Sequence, residues 1–471
     1  MARFKSVIFT TSKLNTYMFS NSLGCVLYIH LIMIHLLKNK SENNKYEYTN
    51  TDLYSENEID YYQRKIDFYT RYLVFESAVK DHLFIDNISE NDIIKSISNT
   101  EQLAIELIQD CNLQCKYCIY GSLYKNPFKY NKIKSNDVQK IIDRLLCYWE
   151  FGVTKNIRIN YYGGEPLLRF EDIQQITEYI KSKNTSVNFT FGLTTNGTLL
   201  DAYKIDYFVK NNFVLAISLD GNEESNRYRV YKNGNETYNT IINNMMFIKE
   251  KYPRYYSDNI HYISVLHDKN KNLNIKHFFL NYLNTDKVNT GSLNKIDVNE
   301  DNISVFNKMF RTNYSVKDGF IINKHIYRYK KEIFRIRDIY SFPEYLHKKS
   351  NKRMYTGTCI PLKKKLFITA EYQLMPCEKI SFNNNYGLIC NNGNIQNINH
   401  KYIAEQYNKN IKTVISQCKK CYYSMLCSFC IFTLQNKGDG YYCNRHMTIR
   451  RFSIYLSNIF TYLENNKSIK L

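Results

Sequence analysis

Three cysteines, Cys111, Cys115 and Cys118, are packed into one short stretch that directly follows the apolar run from Leu103 to Ile108. Their C-x3-C-x2-C spacing lets a single loop offer three thiolates to a cubane iron–sulfur cluster and leaves its fourth iron without a protein ligand. Soft thiolates select iron–sulfur clusters or zinc. Structural zinc motifs close a tetrahedron with two C-x2-C pairs, and a lone triplet with unequal gaps closes none. An open coordination position is what a catalytic metal needs. The spacing therefore points to reactive iron carried on a loop at the end of a buried strand.

Three more segments follow: Tyr161-Tyr-Gly-Gly-Glu-Pro-Leu-Leu168, Thr194-Thr-Asn-Gly197 and Ile217-Ser-Leu-Asp-Gly221. Together with the triplet and the aromatic Tyr117 before its third cysteine, this ordered set resembles the radical S-adenosylmethionine (SAM) enzymes. Any one match alone is weak, and the order gives the set its weight. The resemblance implies a [4Fe-4S] cluster held by Cys111, Cys115 and Cys118, with SAM bound on the open iron. It also implies a SAM-binding set of Tyr117, Gly163, Gly164, Glu165, Asn196, Ser218 and Arg229. The glycines let main chain approach closely, Glu165 suits the ammonium group, Ser218 the ribose and Arg229 the carboxylate. Gly163 and Gly164 also read as a plain strand-end turn, and Arg229 as a surface charge.

Apolar strands at Leu103–Ile108, Ile157–Tyr162, Val187–Leu193, Val214–Leu219 and Ile260–Leu266 alternate with helical patterns, one of them capped by Ser135. Such alternation predicts a parallel sheet with its chemistry at the strands' C-terminal ends. The expected fold class is α/β, and the resemblance implies a partial (β/α)6 radical SAM barrel with an N-terminal winged-helix-like module and a C-terminal cysteine-rich SPASM domain. The boundaries are 1–98 for the module, 99–300 for the core, 301–350 for a basic bridge and 351–471 for the SPASM domain. In the module, Lys5–Thr10, Thr16–Ser20 and Cys25–His30 read as strands, Leu31–Lys38 as a helix and Leu73–Ile85 as a hairpin. Ser55-Glu-Asn-Glu58 is a capping box opening a further helix, and Ser89 caps a short helix through Ile97. Modules of this kind capture leader peptides by strand addition in related enzymes. A structural extension is the other reading.

Cys359, Cys377, Cys418, Cys421, Cys427, Cys430 and Cys443 form a second constellation. Cys418 to Cys430 alone reads as zinc-ribbon-like. Beside the core motifs it resembles the SPASM extension, which implies two auxiliary [4Fe-4S] clusters: Cys359, Cys377 and Cys430 on the first, Cys418, Cys421, Cys427 and Cys443 on the second. The last pair is spaced x2 where x3 is usual, and Tyr372 stands where a glycine commonly precedes Cys377. Lys365 lies where some relatives have a fourth thiolate, with Cys390 another candidate, so the first cluster has room for an open iron and a substrate thiolate. Glu378 aligns with a proton-accepting aspartate of sulfatase-maturating relatives and is the catalytic candidate; a salt bridge to nearby lysines is the plainer reading.

Thirteen cysteines without an export signal fit metal ligands rather than disulfides, in a cytoplasmic protein. The apolar stretch Leu23–Leu37 is shorter than the roughly 20 residues of a membrane span and carries two histidines. The net charge of +20 goes with abundant Lys, Asn, Ile and Tyr, as an AT-rich genome produces, and with ten Lys/Arg against three acids between Lys324 and Arg353. Such a run is usually a solvated face. The expected function is radical modification of a ribosomally made precursor peptide, oxidising or crosslinking it, with an external electron donor of flavodoxin or ferredoxin type. An anaerobic sulfatase-maturating enzyme is the first alternative. A zinc-stabilised protein binding nucleic acid or another acidic partner is the second, and the ordered motifs count against it.

Overall fold

Short alternating strands open the chain. The computed structural model describes residues 6–20, 25–38, 54–71, 85, 87–125, 130–270, 272–311, 354–424, 427, 429–436, 438 and 440–465. The hairpin expected over Leu73–Ile85 (its last residue apart) and the basic run Lys324–Arg353 (Arg353 included) lie outside these residues. Two compact units result: Met1–Asn87, Val316–Thr358 and Lys409–Leu471 form one, Ile88–Ser315 and Cys359–Asn408 the other.

In the first unit, β1 (Val7–Thr10), β2 (Thr16–Ser20) and β3 (Cys25–Tyr28) form an antiparallel meander. Alternation along the strands sends side chains to two faces, and both are buried. Met18 and Leu27 pack with Ile32, Met33 and Leu36 of the helix Leu31–Lys38 and with Ile66 and Tyr69 of the helix Glu56–Arg71. Val7, Phe9, Tyr17, Phe19 and Val26 pack instead against Phe452, Leu456 and Phe460 of the last helix, Ile449–Asn465. Polar ties add to this: the Tyr17 hydroxyl donates to the Glu464 carboxylate at 2.7 Å, and Asn15 Nδ2 to the same oxygen at 3.0 Å. Strands β1 to β3 thus share a core with the helix Ile449–Asn465, while the helix Glu90–Ser98, inside the expected N-terminal module, belongs to the other unit. Both expected caps form, Glu58 bonding back to Ser55 and Asp92 to Ser89.

The second unit holds the parallel sheet. Strands β4 (Gln102–Ile108), β5 (Asn156–Gly163), β6 (Asn188–Thr195), β7 (Val214–Ser218), β8 (Ile260–Leu266) and β9 (Val288–Ser292) lie side by side in chain order, all parallel. Two late strands extend it beyond β4: β10 (Leu366–Ile368), parallel to β4, and β11 (Leu374–Met375), antiparallel to β10. Helices intervene, and their apolar stripes face the sheet; Val138, Ile141, Ile142, Leu145 and Leu146 of the helix Ser135–Trp149 are all buried. Ser135 does not cap this helix. It is the first helical residue, and its hydroxyl donates to Gln175 Oε1 at 2.9 Å instead of to the helix's own backbone. Tyr372 has a positive φ of 62°, a backbone conformation glycine would adopt freely, and its hydroxyl donates to Asp137 at 2.8 Å. No helix among the described residues is long and apolar enough to cross a membrane.

Phe460 is fully buried, its ring centroid 5.1 Å from Phe9 and 5.0 Å from Tyr17. Phe460→Ala is expected to cost about 3–5 kcal/mol in the first unit. Guanidinium unfolding followed by circular dichroism measures it; a loss below about 1 kcal/mol would show that the C-terminal helix does not carry this core.

Candidate metal and cofactor site

Because β4 to β9 are parallel, their C-terminal ends share one edge of the sheet, and the sequence motifs meet there. The loop with Cys111, Cys115 and Cys118 leaves β4 and runs between two supports. On one side is the turn after β5: the Gly164 N–H donates to Ile108 O at 2.8 Å and the Glu165 N–H to Asp110 O at 2.9 Å. A side chain would not fit there. A Cβ on Gly163 would sit 2.3 Å from Ile108 O, and one on Gly164 2.2 Å from Asp110 O; Gly163 also has φ +147°. On the other side the loop pairs with residues 228–231, through Gln114 N–H to Val230 O at 2.7 Å and Lys116 N–H to Tyr228 O at 2.9 Å.

Each of the three thiols is an electrostatic neighbour of another, and burial pushes them above the ordinary thiol range, Cys118 to about 12 with Cys115 adding to the shift. A metal bound here must displace protons. Asn196 Nδ2 lies 3.7 Å from Cys111 Sγ and donates to Asn112 Oδ1 at 2.9 Å, so the turn after β6 also braces the loop. Three thiols on one loop, with a side-chain-free glycine cradle beside them, fit a cubane with one open iron.

Glu165 is fully buried. Its carboxylate accepts from Leu167 N–H at 3.0 Å, the Thr195 hydroxyl at 2.7 Å and Asn196 N–H at 2.8 Å. Burial nevertheless raises its pKa to about 7. A carboxylate has about four acceptor positions, so one is left over.

Behind the loop lies a charged network that sequence reading did not find whole. Asp220, fully buried after β7, accepts from Arg229 Nη2 at 3.0 Å, from Val265 N–H at 2.9 Å and from the Tyr117 hydroxyl; His267 Nε2 is 3.5 Å away. The Arg229 guanidinium sits 5.5 Å over the Tyr117 ring, which stacks on His267 at 5.6 Å. Burial works against both charges, but each offsets it in the other: Asp220 stays below the usual carboxylate range and Arg229 stays charged. Arg229 is therefore no surface charge, and its Nε has no hydrogen-bond partner among the described residues. The Asp in S-x-D-G was the available signal for Asp220; nothing in the sequence marked His267. Ser218 closes β7 half-buried.

The remaining residues fall into separate groups. Cys377 follows β11, and beside it Glu378 receives Lys365 Nζ on both oxygens at 2.8 Å. Burial opposes the Glu378 charge, but Lys365 outweighs it and holds the carboxyl below its usual range. Cys359 is exposed in the same unit, and Cys390 lies near Asp137 and Lys140 of the helix Ser135–Trp149. In the first unit, Cys418, Cys421, Cys427 and Cys443 line one small cavity of about 20 Å³, with Arg445 and His446 at its wall. Cys430 is not among its lining residues. Burial raises Cys418 to about 12, with Cys427, Cys421 and Cys443 adding to the shift. Four thiols lining one cavity fit a fully ligated cluster. Among the described residues, no three or more His, Cys, Asp or Glu side chains close around a single metal-ion position.

Glu165 gives a pH signature. With a folded pKa raised above the unfolded value of 4.5 to about 7, its contribution to stability is whole below 4.5 and is lost as pH rises through 7. The full shift corresponds to about 3 kcal/mol. Glu165→Gln is expected to lose less melting temperature than the native chain between pH 5 and 8. Parallel melting curves for the two proteins would contradict this assignment.

Comparison with known proteins agrees with this geometry. Residues 105–272 match the sequence model of the Radical SAM superfamily. A cysteine-type anaerobic sulfatase-maturating enzyme of Clostridium novyi is 30% identical over 144 residues, 30% of this chain and 37% of that protein. The radical SAM cyclopropyl synthase TigE of Paramaledivibacter caminithermalis is 26% identical over 172 residues, 33% and 35% of the two chains. The matched stretch thus spans little more than a third of either relative. A solved structure, native anSMEcpe with bound AdoMet and Kp18Cys peptide, superposes at TM-score 0.55 and 18% identity, covering 78% of this chain and 98% of that one, a likeness of fold. The cysteine loop, the glycine turn and strands β5 to β8 lie in the matched region: residues 105–272 are a domain of the Radical SAM superfamily.

Proposed function

We propose that the chain is a radical SAM maturase that modifies a ribosomally made precursor peptide. The observation that carries this reading is the meeting of the three-thiol loop, the Gly163–Gly164–Glu165 turn and the Asp220–Arg229 pair at one edge of one parallel sheet. A bound [4Fe-4S] cluster with SAM supplies one-electron cleavage of the sulfonium, giving methionine and a radical able to take hydrogen from unactivated carbon. Cys111, Cys115 and Cys118 hold the cluster. The glycine turn admits the methionine moiety against the main chain, and Glu165 has one acceptor position left for its ammonium group. Arg229, held by Asp220 and Tyr117, offers its free Nε to the carboxylate, while Ser218 takes the ribose. Asn196 braces Cys111. The buried, apolar surroundings exclude water from a reactive species.

One relative favours peptide chemistry: the solved structure named above carries a bound peptide. The second set of cysteines supports auxiliary clusters, with Cys418, Cys421, Cys427 and Cys443 as one ligand set and Cys359 and Cys377 as part of another. Glu378, engaged by Lys365 at both oxygens, is not a free base, which counts against formylglycine formation by this residue. For substrate capture, β3 is an edge strand among the described residues. Ile29 N–H points inward to Thr16 O, so alternation turns the N–H groups of Val26 and Tyr28 outward, ready for an added strand.

Cys115→Ala is expected to abolish 5′-deoxyadenosine formation with SAM and dithionite while iron remains in the auxiliary sites; retained cleavage would remove the triplet from the mechanism. Tyr28→Pro removes an outward N–H at an edge position where proline is tolerated. It should weaken precursor binding about tenfold and leave uncoupled SAM cleavage unchanged. Undiminished precursor affinity would end the strand-addition idea.

A further inference from the structure

The Asp220 carboxylate has about four acceptor positions, and four donors fill them. On Oδ1 are Arg229 Nη2, at 3.0 Å, and the Val265 N–H, at 2.9 Å. On Oδ2 are the Tyr117 hydroxyl and, at 3.5 Å, His267 Nε2. His267 is fully buried, and its neighbours fix its tautomer. Nδ1 accepts the Lys269 N–H at 3.2 Å, so Nε2 keeps the proton. Asn270 Nδ2 also lies 3.2 Å from Nε2, but its two hydrogens go to Val265 O at 2.9 Å and Asp220 O at 3.4 Å. Asp220 Oδ2 is left as the acceptor for the imidazole N–H.

Arg229 is engaged by Asp220 through one nitrogen only. It is almost wholly buried and an electrostatic neighbour of Cys115, yet its Nε has no hydrogen-bond partner among the described residues. In a guanidinium, Nε and Nη2 lie along one edge and match the two oxygens of a carboxylate. With Nη2 already on Oδ1, the contact that would complete such a fork is Nε on Oδ2. Two other donors occupy Oδ2, and the fork stays open. Leaving a buried N–H without an acceptor is costly. A fold that keeps one open beside the cysteine loop reserves it for a ligand.

We infer that His267 is a positioning residue: by filling Asp220 Oδ2 it keeps Arg229 from closing on both oxygens, and so frees Arg229 Nε for the carboxylate of bound SAM. The inference rests on the radical SAM reading and adds to it a side chain that does not itself touch the ligand. Without the imidazole donor, Oδ2 has a vacant acceptor position within reach of Nε. The guanidinium then turns its whole edge to Asp220, and the ligand carboxylate loses its donor. Packing is the competing explanation, because the His267 ring stacks on Tyr117 at 5.6 Å and meets Tyr228 edge-on at 4.8 Å. On that account any flat ring would serve as well as imidazole, whereas the open fork needs the N–H.

The test uses the full chain with its clusters reconstituted and sets two variants against each other. His267→Phe keeps a ring and loses the donor; His267→Gln loses the ring and puts an amide N–H near the Nε2 position. Equilibrium dialysis with labelled SAM, without reductant, reads affinity, and 5′-deoxyadenosine formed with dithionite over a range of SAM gives KM and kcat. His267→Phe should bind SAM about tenfold more weakly, the change falling on KM more than on kcat. His267→Gln should recover most of the affinity. Tyr117→Phe removes the other Oδ2 donor at almost constant shape and should act in the same direction, which decides the matter even if His267→Phe does not fold. In an Arg229→Lys background, which has no fork to close, His267→Phe should add no further loss; an undiminished loss there overturns the route through Arg229. Native affinity in Tyr117→Phe overturns the inference too, as does the reverse order, with His267→Phe native-like and His267→Gln weak. If the native chain itself binds no SAM, the radical SAM reading is what fails.

Discussion

Everything at the sheet's C-terminal edge depends on two main chains lying against each other. The cysteine loop and the turn after β5 approach so closely that a single methyl group on Gly163 or Gly164 would overlap the carbonyl oxygens of Ile108 or Asp110. Backbone hydrogen bonds, not side chains, make the contact. The loop's position is therefore set by the sheet register of β4 and β5 rather than by rotamers, and the three thiols inherit that rigidity.

Around this contact the structure keeps charge in dry surroundings by pairing it. Asp220 and Arg229 are each almost wholly buried, and either one alone would be an uncompensated charge. Together they steady Tyr117, one residue before Cys118, through its hydroxyl and its ring face. Lys365 and Glu378 repeat the device beside Cys377. Glu106 is a third variation: a buried acid inside β4 that receives the Tyr120 hydroxyl and Ala370 N–H, and that burial pushes toward its neutral form.

Strands β1 to β8 and the cysteine loop were legible because each is a local pattern, apolar runs and motifs at strand ends, whereas the short strands β9, β10 and β11 carry no such run. The caps at Ser55 and Ser89 were legible for the same reason, each spanning three residues. Ser135 misled because its hydroxyl finds Gln175, on another helix, which no local pattern announces. His267 and Glu106 were invisible, since their partners are distant in the chain and their types common. The sharing of one core by β1–β3 and the helix Ile449–Asn465 was equally hidden: each has an apolar face, and neither names the other.

The late strand β10 has a consequence for biosynthesis. It pairs with β4, and Ala370, just beyond it, bonds Glu106, 264 positions earlier. Until that part of the chain has left the ribosome, β4 presents an unpaired, apolar edge, and the ladder that carries the cysteine loop is open on one side. At synthesis rates of about 5–20 residues per second, the edge waits on the order of ten seconds or more. Nascent chains stalled before residue 366 should therefore be the aggregation-prone and chaperone-dependent ones, and the cysteine loop should become durably placed only after β10 has emerged.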